Sequence, residues 1–307
     1  METAEQRRGR GPVRVRWTLW IFAAFFSVAC DPGAEARTLD LPDRPDDAPG
    51  GEEIAEEVRG LGFEQREERI FAEVARGNVP GSMRRLVPVE LAGEVDGRTT
   101  RLTFWAAPDY LAVGSDEDYF LVPLSPRTSQ RIADLVGGSL PTSRMVDAIW
   151  ASARARLVPI RFPPDEHRMT VRYFERHDRL VQAQRRLQNV RPGVLVAGHK
   201  LDVVLATADP GGQKVVALYG WHHQAGVPIQ PLVPILLDRE PHFSMGVRLV
   251  DRTVLVDGVR RDLHDILEDF ELAALLGLSP VADAVETDAT RPPREPDPDG
   301  AAPGFFP

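Results

Sequence analysis

The sequence predicts an α+β fold, mainly antiparallel sheet with a central helical segment, and three observations carry that reading. Strand-like runs cluster at 83–122, helical patterns fill 125–187, and strand-like runs return from 194 to 256, so strands and helices are grouped and do not alternate. Two Asp-Gly pairs, Asp96-Gly97 and Asp257-Gly258, sit between β-rich stretches as hairpin turns do. Helix punctuation is present where the periodicity changes, with Ser125-Pro126 as a start and Gly137-Gly138 and Gly277 as stops.

In chain order, Arg66 to Arg76 places Ile70, Phe71 and Val74 at helical spacing before Gly77-Asn78. Leu86 to Leu91 reads as a strand, Leu102, Phe104 and Ala106 alternate on the next, and Tyr119 to Val122 closes the group. Helices are expected from Ser125 to Val136, from Ser143 to Leu157 with Met145, Ile149 and Ala153 on one face, and from Thr170 to Leu187. Val194–Ala197, Leu201–Ala206, Val215–Tyr219, Ile229–Leu237 and Val247–Val256 are β-rich, and His264 to Leu276 is the last helix, with Ile266, Phe270, Leu272 and Leu276 for burial.

The folded body is therefore expected at 66–278. Residues 31–65 are acidic and rich in Pro and Gly, which predicts a disordered tether with a transient helical turn at Ile54–Val58, and the Pro-rich stretch 279–307 predicts a disordered tail. The chain has 307 residues, with 37 Lys+Arg against 46 Asp+Glu and a net charge of -9. An acid excess does not suit non-specific nucleic-acid binding, which needs a basic face. A lone cysteine excludes a disulfide framework and Cys-rich metal sites.

The first 29 residues carry an address. Arg7, Arg8, Arg10, Arg14 and Arg16 form a basic segment, and Trp17 to Ala29 form an apolar run that ends at Cys30. The run is shorter than the ~18–20 residues that cross a bilayer, so it reads as a secretory signal. Ser27-Val28-Ala29-Cys30 resembles the lipobox of bacterial lipoproteins, in which the thiol is diacylglycerated and the peptide is cut before the cysteine. The resemblance implies a signal peptide over 1–29, lipidation of Cys30 and anchoring to the bilayer from the extracytoplasmic side of the cell envelope; whether at the inner or the outer membrane stays open. Cleavage lowers the basic count from 37 to 32 and the acidic count from 46 to 44, leaving -12, a charge that holds the body off an anionic surface.

The most informative stretch is 193–250. It contains Gly198-His199-Lys200-Leu201-Asp202, Tyr219-Gly220-Trp221-His222-His223, Pro228-Ile229-Gln230-Pro231-Leu232 and His242-Phe243-Ser244-Met245-Gly246-Val247-Arg248-Leu249. With Ala107–Asp118 and Ser139–Asp147, these segments resemble an uncharacterised family of bacterial extracytoplasmic proteins whose His, Ser and Asp content suggests a cell-envelope hydrolase. Leu236 and Met245 stand where that family's pattern has histidines, and neither side chain accepts a proton or binds a hard metal. If those family histidines are catalytic, the resemblance implies an inactive copy, a binding or structural envelope domain with peptidoglycan or another envelope component as partner; the alternative is a cell-wall-directed hydrolase with a His/Asp/Ser site.

From the residues themselves, His199, Asp202, His222 and Ser244 are the candidate catalytic set, with Ser244 as nucleophile, His222 as base and Asp202 as orienter. No strained elbow surrounds Ser244, and a strand serine bonded to backbone is the plainer reading. A zinc site from His199, His222, His223, His242 and Asp202 lacks metal-ligand spacing, so no metal or cofactor is expected. On a strand, His222 and His223 point to opposite faces. Lys200 beside Asp202 reads as a solvated or salt-bridged pair, Gly114–Asp118 as a turn, and the arginines at 154, 156, 161, 168, 172, 176 and 179 as partners for carboxylates.

Overall fold

Asp96 and Gly97 both take positive φ (51° and 69°), the two-residue turn geometry that matches strand twist. The turn joins β1 (Val87–Val95) to β2 (Arg98–Ala106) in antiparallel register from Val87–Ala106 to Val95–Arg98. Leu102, Phe104 and Ala106 are buried, as their alternation predicts. The structure, a computed structural model, describes residues 36–163, 166–207 and 214–278, which belong to one compact unit; the signal segment 1–29, Cys30 and the tail 279–307 lie outside the described residues.

The expected tether is corrected over residues 36–65, which are part of the folded body. Helix α1 (Gly51–Val58) buries Ile54, Ala55 and Val58, and α2 (Phe63–Ala75) buries Ile70 and Val74. Gly51 lets the chain approach the opposite backbone: a Cβ there would lie 2.3 Å from the Tyr119 carbonyl carbon. Arg37 donates to Asp251 Oδ2 at 2.6 Å and Arg44 to Asn78 Oδ1 at 2.8 Å, pinning the segment on both sides. Acid and proline content concealed three well-placed apolar residues. A short α3 (Gly81–Arg84) precedes β1.

Next come β3 (Ala112–Gly114) and β4 (Tyr119–Leu121), an antiparallel pair. Helix α4 (Pro126–Leu135) starts as predicted, Ser125 Oγ accepting from the Thr128 N–H at 3.2 Å with Pro126 in the first turn. After β5 (Gly138–Ser139), α5 (Ser143–Ser152) begins at Thr142, whose hydroxyl accepts from the Met145 N–H at 3.3 Å. It stops before the predicted Leu157 because Ala153 turns extended (ψ 130°), and β6 (Ala155–Arg156) pairs in parallel with β7 (Val196–Ala197). A 3-10 turn (Glu166–Met169) and α6 (Val171–Leu187) lie between those two strands in sequence.

A four-stranded sheet is built from β8 (Leu201–Thr207), β9 (Lys214–His222), β10 (Pro228–Pro234) and β11 (Met245–Gly246), in the order β10-β9-β8-β11, with only β11 and β8 parallel. The predicted strand at 247–256 is split into β12 (Val250–Asp251) and β13 (Thr253–Val256), and the Asp257-Gly258 turn leads to β14 (Val259–Asp262). These complete a second sheet, β14-β13-β2-β12-β5 with β1 also on β2. The last helix is two: α7 (Leu263–Glu268) and α8 (Phe270–Leu275) break at Asp269, whose carboxylate accepts from the Glu271 and Leu272 N–H groups at 3.1 and 3.0 Å. Helix α5 is the wedge between the sheets. Met145 and Ile149 pack in the core with β1, β2 and α7, while Val146 packs on Val204 and Ala217 of β8 and β9. That placement leaves Asp147 and Trp150 of α5 facing the end of β9.

Candidate functional site

The end of β9 is an irregular strand. Gly220 (φ 105°) and Trp221 (φ 57°) both leave the extended region, so three consecutive side-chain positions, Gly220, Trp221 and His222, are buried where simple alternation would expose one. The Trp221 ring is held inside, its Nε1 donating to the His199 carbonyl at 3.2 Å. His222 turns inward and His223 is exposed, so only the first of the pair enters the site. His222 Nε2 lies 2.9 Å from Asp147 Oδ1, the Tyr219 hydroxyl donates to the same oxygen at 2.8 Å, and the Trp150 ring stacks on the imidazole at 5.8 Å between centroids. Asp147 is 47% exposed and is where this group meets solvent. Burial, then the bond to Asp147, raises the Tyr219 phenol.

Asp202 stands opposite Tyr219 in the β8–β9 register. A Cβ on Gly220 would lie 3.3 Å from Asp202 Oδ2 and 3.5 Å from His222 Nδ1, so the carboxyl and the imidazole flank that bare Cα. Tyr110 donates its hydroxyl to Asp202 Oδ2 at 2.8 Å. Burial pushes the Asp202 carboxyl up to about 6, against the pull of Arg248. Arg248 is itself buried, donates to the Ala107 and Val196 carbonyls at 2.9 and 2.7 Å, and lies 4.1 Å above the Tyr110 ring. The reading of Lys200 and Asp202 as a solvated or salt-bridged pair is corrected: both are buried, Lys200 Nζ donates to the Phe243 carbonyl at 2.7 Å, and Asp202 accepts from Tyr110.

His199 faces elsewhere. Its Nε2 lies 3.5 Å from Asp109 Oδ1 and 3.4 Å from Arg185 Nη2, Asp109 and Arg185 form an ion pair, and Nδ1 has no hydrogen-bond partner. Burial brings the His199 imidazole down to about 4 although Asp109 pulls it up. Burial alone would raise Asp109, but Arg185 and then His199 hold it below the usual carboxylate range. At neutral pH this is an ionised carboxylate and guanidinium beside a neutral imidazole.

Ser244 belongs to a third group. Its Oγ lies 2.8 Å from His242 Nδ1, and burial, then Arg239 and Arg168, takes that imidazole down to about 3. Beside it, burial lowers Lys200 and raises Asp178, each opposed by the other's charge, and His177 is lowered by burial and then by Lys200.

The four candidates thus divide. Asp202 and His222 come together; His199 and Ser244 each have a different partner, and the Ser244–His222–Asp202 triad is not assembled. Among the described residues, no three His, Cys, Asp or Glu side chains gather as a metal site would need. Cys30 lies outside the described residues. Of the two positions occupied by histidine in the resembled pattern, Met245 is buried beside Leu201 and Leu236 is 81% exposed. Arg156 does not pair with a carboxylate: it lies 4.2 Å over the Trp150 ring and donates to the Trp150 and Ala151 carbonyls at 3.0 and 2.7 Å.

Sequence reasoning missed Tyr110, Asp147, Asp109 and Arg185 as members of these groups, and weighed His242 only as a zinc ligand. A signal was present, because Asp109, Tyr110 and Asp147 fall inside the upstream segments of the resemblance. Tyr110 is the hub, with its hydroxyl on Asp202, its ring edge-on to His199 at 4.9 Å and its face under Arg248. Chemically, Asp202 and His222 form an acid–base couple with an orienting carboxylate on the histidine, two tyrosine hydroxyls bonded to the carboxylates, and Ser244 bonded elsewhere. The chain matches no family profile, no curated protein and no solved structure.

Proposed function

We propose that this chain is a membrane-anchored extracytoplasmic lipoprotein of the bacterial cell envelope and that its folded body binds an envelope component without cleaving it. The basic segment, the short apolar run and the single cysteine at its end support the anchoring. The non-catalytic part rests on one observation: Ser244 is bonded to His242, a partly buried imidazole held neutral, and not to His222. A serine nucleophile needs a base that takes its proton and a third group that orients the base. His242 is lowered far below neutral pH by burial and by two arginines, so it is a poor proton acceptor for that step.

The test uses the full-length chain. Incubated with purified peptidoglycan sacculi, it is expected to sediment with them and to release no soluble fragments. Metabolic labelling with tritiated palmitate is expected to mark the wild type and not Cys30→Ser. Fragment release that disappears in His222→Ala overturns the non-catalytic reading.

A second reading has an observation of its own. Asp202, raised to about 6, and His222, paired with Asp147, flank Gly220 as an acid and a base do in water-driven hydrolysis. In that reading, Asp202→Asn and His222→Ala abolish fragment release while Ser244→Ala and His199→Asn retain it.

A further inference from the structure

A cavity of about 370 Å³ opens on a different part of the body, between the end of α6, the loop after it and the Ser115–Asp118 turn. Its size is that of a small-molecule site. The Asp109–Arg185 ion pair lines it, and Arg185, whose side chain is 9% exposed, keeps its Nε without a hydrogen-bond partner. That nitrogen is shielded from solvent, so the polar contacts the cleft offers a ligand come from its other charged residues.

The remaining charges are arranged by sign. Arg186 and Arg191 come from the end of α6 and the loop beyond it, and neither is in an ion pair among the described residues. Asp116 and Glu117 come from the turn that joins β3 to β4. Asp116 is fixed there, its Oδ1 accepting the Ser82 N–H at 2.9 Å. Between the two groups stand Tyr119 and Gln182, linked by a 3.1 Å hydrogen bond from the hydroxyl to Oε1. A simple anion bound to the arginines would lie in a cleft that also carries two carboxylates, and a simple cation would meet the reverse. A ligand carrying both signs pairs with both groups, and charge-assisted bonds at both ends are the strong ones.

We propose that this cleft binds the zwitterionic backbone of a free amino acid or short peptide, its carboxylate toward Arg186 and Arg191 and its ammonium toward Asp116 and Glu117. The inference deepens the reading of the body as a binding module and rests on it; it gives the ligand a chemical class.

The experiment is calorimetric titration of the full-length chain with alanyl-alanine, N-acetyl-alanyl-alanine and alanyl-alanine amide. Alanyl-alanine is expected to bind about tenfold or more tightly than either blocked form, the size of losing one charge-assisted contact. In the Arg186→Gln/Arg191→Gln double variant, the free acid and the amide are expected to bind alike. In Asp116→Asn/Glu117→Gln, which keeps an acceptor for Ser82, the free amine and the acetylated form are expected to bind alike. All four positions are exposed, so the fold is not at stake. Absence of binding, equal binding of the three peptides, or tighter binding of inorganic phosphate overturns the proposal. Chromatography of the titrated peptide separates the two claims. Bound dipeptide recovered as alanine leaves the cleft standing and overturns the non-catalytic reading, whereas sacculi left uncut with no dipeptide bound overturns the cleft alone.

Discussion

Asp202 is the side chain whose environment has the clearest measurable consequence. Its folded-state pKa of about 6 lies above the ~3.9 of an unfolded aspartate, so the protonated form is the one the fold favours. A raised pKa contributes stability that is fully present below about pH 4 and is lost as pH rises through 6. Asp202→Asn removes that titration while leaving Tyr110 an acceptor. Relative to wild type, the variant is expected to gain about 3 kcal/mol between pH 4 and pH 8, read from urea unfolding midpoints at both ends. A difference that stays flat across that range means Asp202 titrates as an ordinary aspartate. Ser244 gives the complementary result. Ser244→Ala leaves the partly buried His242 Nδ1 without its 2.8 Å partner, and a loss of about 0.5–1.5 kcal/mol in unfolding free energy is expected. An unchanged midpoint would mean that the hydroxyl is not that atom's partner in solution.

At the scale of elements, α1 decides where the folded body begins. Ile54 is fully buried there, against a core that also takes Val58 and Ile70. Ile54→Ala is expected to cost about 2–5 kcal/mol, the range for emptying a well-packed site, whereas the same change in a tether costs nothing. Urea unfolding of the full chain separates the two. Most of the elements were legible because local signals and tertiary packing agree. Asp-Gly turns, the Ser125-Pro126 start and the alternation on β2 each point to the geometry observed. Helix α1 was not legible as a stable element, because its acid and proline surroundings outweigh three apolar residues in any compositional window. The break at Asp269 and the stop at Ala153 depend on capping and on the β6–β7 pairing, contacts that periodicity does not encode. The site was legible in part. Gly220 and His222 stood out as residue types, but Trp221 at positive φ, which turns His222 toward Asp147, is a conformation no tryptophan signals in sequence.

At the scale of the whole molecule, the ordered segment changes how the proposed anchor would act. With Cys30 lipidated, Ala36 is six residues along the chain from the anchor and so lies within about 20 Å of it, whatever lies between. Two effects then compete. The charge of -12 that the proposed cleavage would leave repels an anionic bilayer, but screening confines that repulsion to a Debye length of about 8 Å at physiological salt. A covalent link cannot be overcome by a force that decays inside its own reach, so repulsion sets the distance within the link's limit and does not release the body. Thr38 is exposed and eight residues from Cys30. If acylation takes up the one native thiol as proposed, Thr38→Cys supplies a single labelling site in the full-length chain. In anionic vesicles carrying a headgroup acceptor, a donor at that position is expected to show strong energy transfer that rises modestly from 0.01 M to 1 M salt as the Debye length falls from about 30 to about 3 Å. Adding Cys30→Ser is expected to abolish the transfer. A lipidated chain with no transfer would mean that the segment from Ala36 onward peels from the body and serves as a long spacer, and it would remove α1 from the fold.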